Sequence, residues 1–434
     1  MTPSAHIAAT IEILDLILSG QSAEVSINKW VRSNRFAGSS DRRAIRDLVF
    51  DALRQKNSLI KQSNSISGRA WVIALLQGQG VNLDQYFGTS EYGPPKLTVS
   101  ELNLLPVERE SDLHDIQDWL WPKWKESLGK DAENVAYTLK KRANIFLRVN
   151  TNKGNREQSI DTLEKDGIIS EPHPNVCTAL KVTKGSRKIR NSQAYKTGLV
   201  EIQDASSQAS VLSINLNQNG PILDFCAGGG GKALALNAYF KQPIYAHDAN
   251  VQRMKDLPLR AKRSGSDIRI VKSENLKKSF YGLVFCDVPC SGSGAWRRDP
   301  EGKWSLTQKK YENLLLMQEN ILVTAANLIK PGGYLVYATC SVLIDENGSQ
   351  VRKFLKNSSE WTIEEAQARA TELENALRGP DHGAFLAELF GNTPEQWDPQ
   401  LAGAERLRYI ANALTRQRFV HPDGRLDMDY KKTL

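Results

Sequence analysis

Apolar positions recur with two different periods along this chain, and the change of period divides it. Over residues 1–82 they return at helical spacing, in HIAATIEILDLIL and again in DRRAIRDLVFDAL, which predicts a mostly helical segment. The second run starts after GSSD, where Ser40 or Asp41 is placed to cap it, and it carries Arg42, Arg43 and Arg46 on or near one side. Residues 83–106 are weakly periodic and hold Gly, Pro and Ser, as a linker does. From 107 to 198 the pattern is mixed. DIQDWLWPKWKESL and AENVAYTLKKRAN read as helices, IFLRVNT as a strand and REQSIDTLEKDG as a further helix, making a small α+β segment rich in Lys and Arg.

From 199 to 360 strands and helices alternate. PILDFCAGGGG is a strand running into glycines, KALALNAYF a helix, and PIYAHDAN a second strand ending in acid. DIRIVKSEN and YGLVFCDVPC follow as strands, then a long helical stretch over 306–329, then GGYLVYATCS. This predicts an α/β fold with a doubly wound parallel sheet that binds its ligand along the carboxyl edge. From 361 to 434 the signal fades. WTIEEAQARATELENAL is the one helix candidate there, and the rest of the tail carries no readable motif.

Composition narrows the class. Charged residues make up 24% and apolar ones 40% of the 434 residues, ordinary for a chain with a sizeable core. Apolar runs are too short for a membrane helix, and the N-terminus carries Glu12 and Asp15 within its apolar pattern, unlike a signal peptide. The expected setting is the cytoplasm, with no membrane partner. A net charge of +8 favours a polyanionic partner, nucleic acid above all, over an uninvolved basic surface. The five cysteines form no C-x-x-C, and no His pair stands at zinc spacing, so no metal is expected.

The candidate chemistry lies at the strand ends. DFCAGGGGKA contains a G-x-G-x-x-A pattern at Gly228, Gly230 and Ala233, and Asp248 follows Gly228 by twenty residues. That spacing suits NAD, with Asp248 on the ribose hydroxyls, and suits S-adenosylmethionine equally well. Asp224, ahead of the glycines, favours the second, because a methionine ammonium wants a carboxylate there. The alternatives are a strand-end carboxylate accepting loop N–H bonds at Asp224 and a helix cap at Asp248. DVPC and ATCS then bring Asp287, Cys290 and Cys340 toward the same edge. A carboxylate and two thiols beside a methyl donor suit methylation of cytosine at C5, where a thiolate adds to C6, a carboxyl group supports N3 and a second thiol assists release. Cys286, inside an apolar run, reads as core, and Cys226 as pocket lining. A nicotinamide oxidoreductase explains the glycines but not the thiols, and an idle RNA-binding assembly factor explains neither thiol.

These segments resemble the RsmB/Sun-type (Nop/Sun) RNA cytosine-5 methyltransferases. DFCAGGGGK is similar to the family's cofactor loop, DVPCSGSGAWRRDPEGKW to its central motif, and YATCS to its nucleophile motif, with DENGSQV just after. FLRVNTNKGNREQSIDTLEKDGI and GLVEIQDASSQA resemble its pre-catalytic subdomain, and residues 1–82 its NusB-like RNA-binding domain. The resemblance implies a Rossmann-like class I methyltransferase domain after a small α+β subdomain, acting as a monomer on small-subunit rRNA. It implies Cys340 as nucleophile, Cys290 in product release and Asp287 on the cytosine. Pro289-Cys290 also imitates the motif that carries the nucleophile in DNA cytosine-5 methyltransferases, and the resemblance to the RNA family is what points to Cys340. Cofactor contacts are implied for Cys226, Ala227, Gly228, Gly229, Gly230, Gly231, Lys232, Asp248, Glu274 and Asp287. Two positions depart from the pattern: Glu274 stands for an Asp, and Gly228-Gly229 for Ala-Pro, giving a looser turn.

Overall fold

The structure is a computed structural model that describes residues 1–102, 114–214, 220–364 and 416–420. The described chain divides into two units. The first holds residues up to Ala143 together with Gly294–Gln308; the second starts at Asn144 and contains both sheets.

The first unit is helical. Helices Pro3–Leu18, Ala23–Ser33, Ser39–Arg54, Lys56–Ser63 and Gly68–Gly78 bury one apolar core around Ile13, Leu14, Ile45, Trp71 and Val72. Thr2, Ser22 and Ser67 cap three of these helices with side-chain oxygens. The third helix begins two to three residues earlier than its pattern suggested, at Ser39, with Gly38 rather than Ser40 or Asp41 as its cap. Asp41 acts from inside the first turn, accepting the Gly38 N–H at 2.8 Å. Of its three arginines, Arg46 is paired with Glu24 and lies 4.9 Å from the Phe50 ring. Arg42 and Arg43 turn back onto the Ala37 and Ser39 carbonyls, each at 2.9 Å.

Helices Trp121–Leu128 and Ala132–Leu139 belong to this unit, not to the sheet that follows them. So does the second half of the DVPC motif. Residues 294–308 pack among the helices: Trp296 stacks on Trp124 at 5.8 Å, Arg54 donates to the Arg297 carbonyl at 3.0 Å, and Gln117 donates to the Lys303 carbonyl at 2.6 Å. Lys303 is buried, donating to the Arg54 carbonyl at 3.0 Å.

In the second unit a four-stranded antiparallel sheet comes first, built from β1 (Ile145–Val149), β2 (Ile169–Pro172), β3 (Ala179–Lys184) and β4 (Val200–Ile202) in the order β2-β3-β1-β4. Helix Arg156–Lys165, closed at its start by a reciprocal Asn155–Gln158 capping box, packs Leu163 onto Leu147, Leu180 and Val200.

The larger sheet contains β5 (Ile222–Asp224), β6 (Ile244–Ala246), β7 (Ile268–Ile270), β8 (Tyr281–Asp287), β9 (Ile329–Ala338), β10 (Thr362–Glu364) and β11 (Arg416–Val420). Its order is β10-β11-β9-β8-β5-β6-β7, parallel from β9 to β7, with β11 antiparallel to β9. Strands buried on both faces read as continuous apolar runs, as YGLVFC does. The helix expected from 361 starts instead as strand β10, because β11 returns to pair with it; the remainder of that expected helix lies outside the described residues. Among the described residues no helix is long and apolar enough to cross a membrane.

Burial pushes the Lys303 ammonium down to about 7, below its unfolded value near 10.4. The unfolded chain therefore holds the extra proton between those two values, and stability rises with pH across that window. Thermal melts at pH 7 and pH 9 should show this rise, and Lys303→Met should flatten it. An equally steep rise in the variant would remove Lys303 as its source.

Candidate active site at the carboxyl edge of the sheet

The chain leaves β5 toward β6 and β7, then returns to the other side of β5 with β8. The strand order reverses between β5 and β8, and a crevice opens there at the carboxyl ends. The loop from Phe225 to Gly230 lies at this point, before helix Gly231–Phe240. Gly228 and Gly230 adopt left-handed backbone, with φ of +50° and +80°. At Gly230 a Cβ would lie 2.1 Å from the Leu257 side chain, so only glycine fits.

Asp248, just past β6, is buried and spans this loop. One carboxylate oxygen accepts the Gly228 N–H at 2.9 Å and lies 3.3 Å from Arg253; the other accepts the Asn250 N–H at 2.9 Å. Asn250, not Asp248, caps the short helix that follows. His247 stacks on Phe225 at 4.7 Å, and its ring nitrogens reach the Phe225 carbonyl at 2.8 Å and the Ser273 hydroxyl at 3.0 Å. Glu274 is not drawn in. Its side chain is 67% exposed and pairs loosely with Lys272 at 3.9 Å, because the one-turn helix Ser273–Asn275 directs Ser273, not Glu274, toward the loop.

Asp224 is fully buried, and neither carboxylate oxygen has a hydrogen-bond partner of good geometry. Burial, with the nearby Asp287 charge, pushes its pKa up to about 8. The Lys232 charge and the Ala233 backbone N–H only partly offset that rise. Lys232, from the first turn after the loop, forms an ion pair with Asp287 at the end of β8. Burial works against the Lys232 charge, but Asp287 outweighs it and raises the ammonium above its ordinary range. Cys226 is half-buried with its thiol pushed up by burial, and Cys286 is buried in the core beside Leu223 and Tyr337.

The loops after β8 and β9 bring Cys290 and Cys340 together, with sulfurs 3.3 Å apart. Cys340 is exposed and Cys290 half-buried. The hydrogen bond between Cys340 and Cys290, supported by the Lys232 charge, holds the Cys340 thiol below its ordinary range against desolvation of its sulfur and the Asp287 charge. The same bond pushes Cys290 well up, with burial adding to it. Behind the sulfurs lies a buried polar network. Glu346 accepts the Ser291 N–H at 2.7 Å, the Ser291 hydroxyl at 2.5 Å and the Gln318 amide at 3.0 Å. Gln318 also donates to the Pro289 carbonyl at 2.9 Å. Ser291 and Ser293 reach Ser341 at 3.2 and 2.9 Å, and Asn347 donates to the Ser341 carbonyl at 2.9 Å.

The structure thus gathers Asp224, the 226–232 loop, Asp248, Asp287, Cys290 and Cys340 at one edge and leaves Glu274 outside. Sequence reasoning did not assign His247, Arg253, Gln318 or Glu346. Only Glu346 had a local signal, in DENGSQV. Among the described residues no group of His, Cys, Asp or Glu is arranged to hold a metal.

A doubly wound sheet with a glycine loop at its switch point defines the second unit as a methyltransferase-type α/β domain. The comparisons with known proteins narrow this. Residues 211–385 match the family model described as 16S rRNA methyltransferase RsmB/F, and residues 117–188 that of the RsmF/B-like ferredoxin-like domain. Together they cover more than half of the chain. Curated relatives include the ribosomal RNA small subunit methyltransferases B of Salmonella arizonae, 29% identical over 62% of this chain, and of Klebsiella pneumoniae, 30% identical over 62%. The chain spans 65% of the length of each of these two relatives. The crystal structure of PH0851 superposes over 97% of this chain and 98% of its own, with a TM-score of 0.64 and 23% identity. That of NSun6 from Pyrococcus horikoshii with SFG covers 58% of this chain and 90% of its own, with a TM-score of 0.51 and 18% identity. Both likenesses concern the fold. The chain belongs to the RsmB/F methyltransferase family.

The thiol geometry has a direct readout. Alkylation of Cys340 by iodoacetamide should reach half-rate at a pH below the ordinary thiol value of about 8.5. Cys290→Ala removes the hydrogen-bond partner and should move that midpoint upward. A midpoint unmoved by Cys290→Ala would show that the Cys290 hydrogen bond does not tune Cys340.

Proposed function

We propose that this protein is an S-adenosylmethionine-dependent methyltransferase that forms 5-methylcytosine in small-subunit rRNA. The observation that carries the reading is the thiol pair, 3.3 Å apart, beside the Lys232–Asp287 ion pair on the strand edge that also holds the glycine loop. The similarity to ribosomal RNA small subunit methyltransferases B supports the RNA class, as does the net charge of +8.

The donor set fits S-adenosylmethionine. Asp224, buried and without a hydrogen-bond partner of good geometry, takes the methionine ammonium; the 226–232 loop faces the ligand; Asp248 offers its remaining lone pairs to the ribose hydroxyls. When bound, the cofactor would supply the electrophilic methyl group that C5 of cytosine takes up, its S–CH3 bond breaking to leave the neutral thioether S-adenosylhomocysteine. C5 is a weak nucleophile until something adds at C6. Cys340, exposed and favoured in its ionised form, bonds to C6 as the C5–C6 π electrons move into the ring. N3 takes up a proton from solvent as that charge builds, and the Asp287 carboxylate accepts a hydrogen bond from it. After methylation a base takes the C5 proton, the electrons return to C5–C6, and the S–C6 bond breaks. Cys290 assists this release.

Incubation with under-modified small-subunit rRNA and cofactor separates the two thiols. Cys290→Ala should accumulate a covalent protein–RNA adduct, and Cys340→Ala should form none. The reverse pattern would exchange their roles. The Asp224 assignment has its own test. A ligand ammonium favours the ionised carboxylate, so cofactor binding at pH 7 should release close to one proton, and affinity should climb as pH rises toward about 8. Calorimetry in buffers of different ionisation enthalpy measures this. Binding without proton release would place the ammonium elsewhere.

A further inference from the structure

The turn at Gly228-Gly229 is closed by a single backbone hydrogen bond of its own, from the Gly230 N–H to the Ala227 carbonyl at 2.8 Å. Consecutive glycines lose more backbone entropy on ordering than any other pair, and Gly229 is exposed. Its carbonyl is nonetheless engaged by the guanidinium of Arg260, from helix Leu257–Ser264. Arg260 is in turn held by Glu201 of β4, with Nε 3.5 Å from the carboxylate. Glu201 is only 8% exposed on its side chain and is anchored by Arg263, which donates to both its oxygens at 2.9 and 2.7 Å. Arg263 itself lies 4.1 Å from the centre of the Tyr195 ring. Just beyond β4, Gln203 donates to the Gly231 carbonyl at 3.2 Å. The Gly229 carbonyl is thus held by Arg260, braced on Glu201 of β4, and the Gly231 carbonyl by Gln203 just beyond β4, while Asp248 holds the Gly228 N–H.

We propose that Arg260, positioned by Glu201, is a positioning residue that keeps the Gly228-Gly229 turn in the form that receives the cofactor. The inference rests on the reading of this loop as the S-adenosylmethionine site. A turn that samples other conformations lowers apparent affinity by the fraction of time it is wrong, and a fixed guanidinium removes that loss. The small sheet thereby becomes part of the cofactor site without touching the ligand.

Titration of the full chain with S-adenosylhomocysteine, followed by calorimetry, tests this in wild type, Arg260→Ala, Glu201→Gln and Gly229→Ala. Arg260→Ala should weaken binding about tenfold, the scale of one hydrogen bond to a charged group. Glu201→Gln should weaken it in the same direction. Hydrogen exchange at residues 228–230 should quicken in Arg260→Ala while the melting temperature holds, which separates loop positioning from general destabilisation. The double variant is the sharper arm. Gly229 has no left-handed φ, and a Cβ there would lie 3.1 Å from the Arg260 guanidinium. Gly229→Ala alone therefore presses on the clamp, whereas in the Arg260→Ala background the methyl has room and stiffens the turn, so binding should partly recover. Arg260→Ala binding within about twofold of wild type, or Gly229→Ala weakening both backgrounds equally, overturns the inference alone. A wild type that binds no S-adenosylhomocysteine overturns the reading of the loop, and this inference with it.

Discussion

Two loops leave adjacent parallel strands, and one buried carboxylate ties them to each other. Glu346 has no exposed surface and accepts hydrogen bonds from the backbone and hydroxyl of Ser291 and from the Gln318 amide. Ser291 sits beside Cys290, and its hydroxyl reaches Ser341, beside Cys340. A buried carboxylate is costly unless its lone pairs are filled, and here they are filled by the Cys290 segment and by Gln318 of helix Gln308–Ala326, while Glu346 itself follows Cys340 in the chain. The sulfur separation of 3.3 Å is thus set by a network behind the sulfurs, not by the sulfurs themselves. In the proposed reaction this matters because nucleophile and assisting thiol must meet one base within a fraction of an ångström.

A second constraint is the arrangement of charge along the crevice. Asp224, Lys232 and Asp287 sit on neighbouring strand ends, with one cation for two carboxylates. Asp287 holds the lysine; Asp224, deeper and without such a partner, is pushed toward its protonated form. A cationic group brought beside Asp224 would shift it back toward its ionised form. The same lysine favours the ionised form of Cys340, so the cofactor loop and the thiol share an electrostatic centre.

Much of this was legible in the chain. Strands that run into glycine or into DVPC announce themselves, because a parallel strand buried on both faces is a short apolar run that must end in a turn. Asp287, Cys290 and Cys340 followed from the rule that such strands present their carboxyl ends to one edge. What was hidden depends on reach or on distant pairing. Arg253 and Arg260 act on the glycine loop through long side chains from a different element, and local spacing does not encode that. Glu274 stands at the expected edge, yet its side chain faces solvent. The helical pattern after 361 yields to a strand because β11, more than fifty residues on, completes the pairing. Residues 294–308 continue the active-site motif without a break in pattern, but their tryptophans and Lys303 belong to the helical core. Conversely, the basic face seen in the third helix is partly spent internally, on Glu24 and on backbone carbonyls.

The central claim is that these thiols and carboxylates deliver a methyl group to carbon 5 of cytosine. Its most direct measurement is transfer from methyl-labelled S-adenosylmethionine to under-modified small-subunit rRNA, followed by digestion to nucleosides and mass spectrometry. The account predicts that the label resides in 5-methylcytidine and vanishes with Cys340→Ala. Label on a nitrogen or a ribose oxygen, or undiminished 5-methylcytidine from the Cys340 variant, would contradict it.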